Sequence, residues 1–317
     1  MNYNYEQQTT YAQAFLNHLS VERNLSPHTL TAYRCDLNRF FHWCNSQHLA
    51  FLNDQTIFSY FLYLQNIRRL KPKSIRRKYV TLGQYFHYLQ LEQDIHEVLF
   101  RFTSRRFQIP RSLPKTLTKP ELRSLITSTT QAYQAASTDF QRWITTRDMC
   151  IIELLFCLGL RISEIEALNL EDYIPEDNSI LIHGKGNKER LLFISSPIVS
   201  QKLALWLRIR TTLPSYRSAP PTTAFFLNKY SSRLSIYGIE KLFYKHRQSA
   251  SINPSATPHY LRHSFATQLL NNGANIRDVQ ELMGHSSIVT TQIYTEISLE
   301  RKREVLMRYN GRNFLNV

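Results

Sequence analysis

The stretch "PHYLRHSF", residues 258–265, decides how the second half of this chain reads. Thr257 ahead of Pro258 has the form of a helix start, a hydroxyl cap followed by proline at the first helical position. His259, Arg262 and His263 then load the first turns with basic groups. A helix N-terminus is already the positive end of the helix dipole, and a cation placed there costs roughly a few tenths of a kcal/mol or more. Three basic groups in that place imply that an anion is meant to sit among them. His259 and Arg262 are three residues apart and share one helix face.

Outward from that helix, most of the second half is helical. Thr118, Pro120 and Glu121 form a capping-box pattern that opens it. "RDMCIIELLFCLGL", residues 147–160, is a long apolar helix. "SILIHGKGNKERLLFIS", residues 179–195, reads as a β-hairpin, two short β-rich runs around the polar turn "GKGNKE". From residue 197 onward the pattern is helical, broken at Gly273 and Gly284, which resemble C-terminal caps.

The first half shows no strand-type alternation. "YAQAFLNHLSVE" places Tyr11, Phe15, Leu16 and Leu19 on one stripe. Ser26 and Pro27 open a second helix, with Leu30, Tyr33, Leu37, Phe40 and Phe41 at helical spacing. "TIFSYFLYLQN" and "SIRRKYVTLGQYFHYLQ" supply two more. Pro110 and Pro114 lie in a basic stretch without helical period and place a linker at 109–117. The expected organisation is mainly α: a helical bundle at 1–108, the linker, and an α-rich domain with a small β-hairpin or sheet at 118–317.

Bulk composition narrows the partners. The chain has 317 residues, 43% of them hydrophobic, and a formal net charge of +15. Residues 1–110 carry 13 Lys+Arg against 7 Asp+Glu, and the remainder 26 against 17, so both halves are basic. A polyanion is the expected partner, nucleic acid ahead of a membrane surface. Cys35, Cys44, Cys150 and Cys157 are scattered and form no C-x-x-C pair. No apolar run reaches the ~18 residues of a membrane span, and "MNYNYEQQTT" lacks a signal pattern. A cytoplasmic protein with no membrane insertion is expected.

The second half offers Arg161 in "GLRISE", Lys185 and Lys188 on the hairpin, His259 and Arg262, His285 after Gly284, and Tyr294 in "TTQIYTEIS". Taken singly, each has an ordinary reading. Arg161 pairs with Glu164, hairpin lysines are solvated, His285 caps its helix, and Tyr294 sits in a core. A metal site built from His259, His263 and His285 fails on chemistry: Arg262 would stand beside the cation, and no carboxylate completes an H-E-x-x-H pattern. Taken together, the groups fit attack of a phenol on a phosphodiester. Two arginines grip non-bridging oxygens and stay charged at any working pH. Fixed cations stabilise the added charge of the transition state. A lysine can protonate the leaving oxygen, and histidines can move protons or bind oxygens. No metal or other cofactor is required.

"GLRISEIEAL", "IHGKGNKERLLFIS", "HYLRHSFATQLL" and "LMGHSSIVTTQIYT" resemble, in this order, the tyrosine recombinase (phage integrase) family, Xer type. The resemblance covers nearly the whole chain and implies a SAM-like core-binding bundle ahead of the catalytic fold. It implies that Arg161 and Arg262 grip the scissile phosphate, that Lys185 is the general acid, and that His259 assists proton transfer. It further implies that His285 hydrogen-bonds the phosphate and that Tyr294 is the nucleophile of a 3′-phosphotyrosyl link; His263 looks structural. It departs from the family at Leu158, where a threonine is frequent, and at 128–146, longer than the usual connection between the first two helices of the catalytic domain and expected to be a partner or regulatory surface or a longer loop. The implied role is site-specific recombination resolving chromosome dimers at cell division. The implied assembly is a tetramer on a short palindromic duplex site, with a sister Xer recombinase and an FtsK-type DNA translocase. The alternatives are an integrase of a mobile element, a type IB-like topoisomerase and a non-catalytic DNA-binding protein. The short lead before Tyr11 argues against an arm-binding domain.

Two segments remain. "RRLKPKSIRRK", residues 68–78, is basic at seven of eleven positions: Arg68, Arg69, Lys71, Lys73, Arg76, Arg77 and Lys78. It reads as the DNA-facing part of the bundle. At the C-terminus, Ser298 is expected to cap a helix that Gly311 stops. Phe314, Leu315 and Val317 follow it, apolar enough to need a pocket; the resemblance implies that the tail is handed to a neighbouring subunit, with a pocket on this chain as the alternative.

Overall fold

The computed structural model describes residues 2–22, 25, 27–96, 98, 100, 115–184, 189–212, 222–284 and 299–315. The chain divides into two compact units, Met1–Ser112 and Leu113–Val317.

The first unit is a helical bundle of α1 (Tyr5–Glu22), α2 (Pro27–Ser46), α3 (Asp54–Leu62) and α4 (Pro72–Glu92). Asn53 caps α3 by accepting from the Thr56 amide, and α3 runs on into a π-helical turn over Tyr63–Ile67. Proline stands in the first turn of both α2 and α4, where no amide partner is lost. The stripes meet in an aromatic core of Phe15, Phe40, Phe41, Tyr60, Phe61, Tyr85 and Phe86. The buried Tyr85 hydroxyl is satisfied: Oη donates to Gln8 Oε1 at 2.9 Å. Ser26, expected as the cap of α2, lies outside the described residues.

The second unit begins ahead of its first helix. Leu117, placed in the linker by composition, is buried, and its amide donates to Ser264 Oγ at 2.8 Å. Thr118 and Glu121 cap each other reciprocally at the start of α5 (Lys119–Gln134). Thr138 and Gln141 do the same for α6 (Asp139–Cys157). The stretch 128–146 is therefore no extended loop. It is the end of one helix and the start of the next, joined across residues 135–138.

Helix α6 is buried on nearly all sides from Trp143 onward because it is the central post of the unit, packed by α5, by α8 (Pro197–Ile209) and by α10 (Pro258–Asn271). Trp143 and Trp206 meet edge to face at 5.1 Å, each with its indole nitrogen donating to a backbone carbonyl. Cys150 and Cys157 are fully buried, and burial pushes both thiols well above the usual range. They are packing residues rather than reactive ones.

Short α7 (Ile162–Ala167) leads to an antiparallel sheet of order β1-β2-β3, with β1 at Tyr173–Ile174, β2 at Ser179–His183 and β3 at Glu189–Phe193. The hairpin is as expected; the two-residue β1 is too short for periodicity to reveal. Helices α9 (Ile236–Ser249), α11 (Ile276–Met283) and α12 (Leu299–Tyr309) complete the unit.

After α12 the chain makes a 3₁₀ turn over Gly311–Phe314 and docks on its own unit. Buried Arg312 forms a fork on Glu153 of α6 at 2.6 and 2.9 Å, and Lys202 reaches the same carboxylate at 2.6 Å. Asn310 donates to the Cys157 carbonyl at 2.6 Å, and Leu315 is buried. Of the two pockets expected for the tail, the one on its own unit holds it as far as Leu315, while Phe314 is exposed. Ser298 and Val317 lie outside the described residues. No helix among the described residues is long and apolar enough to cross a membrane.

Candidate active site

The site forms where α6 ends. Gly159 turns the chain at φ +60°, and a Cβ there would stand 2.3 Å from Phe265, so only glycine fits. Leu158, the departure from the family pattern, is buried core. The turn delivers Arg161 to the N-terminus of α7 in extended backbone conformation.

Glu164, one turn into α7, is the hub. Its Oε2 accepts the Arg161 amide at 2.8 Å and its Oε1 accepts Arg161 Nη1 at 2.7 Å. Arg190 from β3 grips both oxygens, Nη1 to Oε1 at 3.0 Å and Nη2 to Oε2 at 2.9 Å. Arg262 of α10 brings Nη1 to 3.9 Å of Oε2, a longer charge contact. Burial by itself raises the Glu164 carboxyl, but the Arg190 and Arg161 guanidiniums outweigh it and hold it below the usual carboxylate range. Burial, and next the charge of Arg161, lower Arg262 to about 10, which leaves it charged at neutral pH.

The salt bridge that Arg161 makes with Glu164 is thus real, and it does not exclude a phosphate role. Three guanidiniums face one carboxylate, so the cluster carries a net charge of +2. Arg161 is 37% exposed and is the outward member. Arg262 is buried, with Nη1 donating to the Gly159 carbonyl at 2.6 Å and Nη2 to the Met283 carbonyl.

Helix α10 starts as the sequence suggests, with one difference. Thr257 has the extended backbone of a cap, but its hydroxyl makes no cap bond. Proline in the first turn leaves one fewer amide to satisfy. His259 is exposed at the start of the helix, with its ring edge-on to His263 at 4.5 Å. Burial, then the Arg262 charge, lower the His263 pKa, which keeps that ring neutral beside the cluster.

Of the six expected catalytic residues, Arg161 and Arg262 converge on Glu164, and His259 stands one turn before Arg262. Lys185, His285 and Tyr294 lie outside the described residues, as does Lys188. The hairpin base is described: His183 bridges Asp172 at 2.9 Å and Glu189 at 3.0 Å, and the Asp172 contact chiefly raises its pKa. Among the described residues no group of three or more His, Cys, Asp or Glu side chains is placed to hold a metal ion.

Arg190 is the residue that sequence reasoning missed. It pairs with Ile182 across the hairpin, and it shares its strand face with buried Leu192. A basic residue at an inward position of an apolar strand was the available signal.

In the bundle, Arg68, Arg69, Lys71, Lys73 and Arg76 are exposed. Arg77 is half exposed and ion-paired with Asp36 at 2.6 Å. Lys78 requires correction as a DNA-facing residue. It is 2% exposed, with Nζ at 2.5 Å from buried Asp36, so its charge is spent inside the bundle. Burial lowers its pKa against the opposing pull of Asp36.

Residues 115–301 match the Phage integrase family, and residues 12–93 match the phage integrase N-terminal SAM-like domain. The chain is a tyrosine recombinase of the phage integrase family. A tyrosine recombinase of Agathobacter rectalis is 33% identical to this recombinase over 96% of the chain and 97% of the relative. A tyrosine recombinase XerC of Listeria monocytogenes is 34% identical over 95% and 97%. A tyrosine recombinase XerD of Staphylococcus epidermidis is 31% identical over 96% and 99%. The fold matches that of a XerH site-specific recombinase bound to a palindromic substrate, with a TM-score of 0.68, 21% identity, and coverage of 92% of this chain and 79% of that one. The family's members cut and rejoin DNA, and this recombinase is an enzyme of that kind.

Proposed function

We propose that this recombinase is a site-specific one that cuts duplex DNA through Tyr294, holds it as a 3′-phosphotyrosyl link, and rejoins it to a new partner. The observation that carries the reading is the over-neutralised carboxylate Glu164, which gathers Arg161 and Arg262 and leaves a net charge of +2. A phosphodiester brings one negative charge and its five-coordinate transition state brings two. The cluster therefore favours the transition state over the ground state, which is what accelerates a reaction. Arg161 presents its guanidinium to the phosphate, and Arg262 supplies buried charge behind it. Lys185 protonates the leaving 5′-oxygen, His259 relays the phenol's proton, and His285 hydrogen-bonds a phosphate oxygen. No cofactor enters. The exposed cations Arg68, Arg69, Lys71, Lys73 and Arg76 contact the backbone of the duplex.

The relatives named XerC and XerD support a Xer-type role: chromosome dimer resolution in the cytoplasm, by a tetramer with a sister recombinase on a palindromic site, under an FtsK-type DNA translocase. The deciding experiment incubates the protein with nicked suicide duplexes carrying sites recovered by binding selection. The wild type should form a detergent-stable adduct, and Tyr294→Phe should bind equally well and form none. An adduct that persists in the Phe variant would move the nucleophile elsewhere, with Tyr260 and Tyr309 next in line. Exchange between two duplexes, rather than relaxation of one, separates a recombinase from a topoisomerase in the same gel.

A further inference from the structure

Both ends of a short path meet at Arg190. Its Nη1 and Nη2 hold Glu164, and its Nε donates to the Leu282 carbonyl at 3.1 Å. The side chain is 9% exposed, with three of its nitrogens committed. Leu282 is in the last turn of α11, where backbone carbonyls lack helical partners. The next carbonyl, that of Met283, is taken by Arg262. Gly284 then closes the helix in the left-handed conformation at φ +61°, and its backbone lies so near Arg190 that a Cβ would be 3.0 Å from Nη1. Two cations at a helix C-terminus also match the sign of its dipole. The end of α11 is thus clamped by the same guanidiniums that surround Glu164.

Glu164 is saturated by this arrangement. Oε1 accepts from Arg161 and Arg190, and Oε2 accepts from the Arg161 amide and Arg190. Arg262 stays at 3.9 Å from it, uncaptured. Without Arg190, the carboxylate would be free to turn onto Arg262, and the cluster's net charge would fall from +2 to +1.

We propose that Arg190 is a positioning residue for strand cleavage: it keeps Glu164 occupied, so that Arg161 and Arg262 retain their charge for the phosphate, and it pins the end of α11 from which the chain continues to His285. The proposal rests on the recombinase reading above.

The test uses the full chain and nicked suicide duplexes selected on the wild type, at temperatures where circular dichroism shows each variant folded. Arg190→Gln should bind the duplex normally and form adduct about 10²-fold more slowly, the cost of misplacing reacting groups by an ångström. Arg190→Lys should recover only part of that rate, because an ammonium lacks the planar fork. In a Glu164→Gln background, Arg190→Gln should cost little more. An undiminished cost there would mean that Arg190 touches the phosphate itself, which overturns the proposal. So would a wild-type cleavage rate in Arg190→Gln. A second measurement needs no DNA: amide hydrogen exchange over 276–284 should quicken by about tenfold or more in Arg190→Gln while 119–134 stays unchanged. Equal exchange at 276–284 would refute the clamp. Absence of any wild-type adduct would sink the recombinase reading instead, and exchange would still decide the role of Arg190.

Discussion

Asp36 in the helical bundle and Glu164 in the second unit are both buried carboxylates ringed by cations. Asp36 receives Lys78 at 2.5 Å and Arg77 at 2.6 Å, with Thr81 Oγ1 at 3.4 Å. Its principal partner, Lys78, is sealed at 2% exposure. Glu164 receives two arginines at hydrogen-bond distance and a third at 3.9 Å, and Arg161 among them is 37% exposed. The first cluster spends its most buried cation on the fold. The second keeps surplus charge, held in place by a carboxylate too small to neutralise it. Burial and ion pairing alone do not separate a structural cluster from a functional one. The size of the excess does, one charge beyond neutral at Asp36 against two at Glu164; solvent access does not, since Arg77 at 44% is no less exposed than Arg161.

The sharpest way to break that comparison is Asp36→Ala, which strands Lys78 as an uncompensated buried charge. Loss of one partner of a buried pair costs about 3–5 kcal/mol. Urea unfolding of the full chain should show that loss, and adding Lys78→Met should recover most of it. If single and double variants were equally unstable, Lys78 would not be the reason.

Arg161→Ala should do the reverse. Adduct formation should fall about 10²–10³-fold, as for removal of one preorganised transition-state contact. The melting temperature should move little, since Arg190 still satisfies Glu164. A stability loss as large as that of Asp36→Ala would place both clusters in the same class.

Salt dependence sharpens the contrast within the basic segment. Replacing Arg68 and Arg69 by Ala should flatten the slope of log K against log salt by about 1–2 units, at roughly 0.9 per phosphate contact. Lys78→Met should leave the slope unchanged, because that ammonium is not available to a phosphate. A flatter slope in Lys78→Met would make Lys78 a DNA contact after all.

The smallest effect concerns the hairpin base. The folded pKa of His183 is raised, chiefly by Asp172, so its contribution to stability is present below the unfolded value of about 6.5 and is lost as pH rises through the folded value. His183 is largely solvated, so the gain is slight. His183→Gln should lower the melting temperature at about pH 6 and leave it unchanged at about pH 9. An equal difference at both values would make His183 a packing residue.

Much of the fold is legible from local signals. The apolar stripe of α1, the capping box at Thr118 and the Gly284 terminus all act within a few residues, so sequence spacing alone reports them. Comparison with the family pattern suggests a longer loop at 128–146, because polar residues on the exposed sides of two helix ends look like a loop when burial is unknown. The order of the motifs that resemble the family, together with Arg161 and Arg262 as a pair of arginines, was equally available in the sequence.

What the sequence by itself determined was the mainly helical architecture, the hairpin, the basic character of both halves and the family. The first three follow from residue type and near-neighbour periodicity, and the family from the resemblance its motifs carry. Only the tertiary structure decided which cations are free. Lys78 and its exposed basic neighbours are alike in sequence, yet the pairing with Asp36 spans 42 positions and withdraws Lys78 into the bundle. Arg190 reaches Glu164 across 26 positions and Leu282 across 92, and Arg312 reaches Glu153 across 159. A charge in a sequence has no partner until folding brings one within a few ångströms. The energy of that contact depends on the low-dielectric surroundings that the same folding creates.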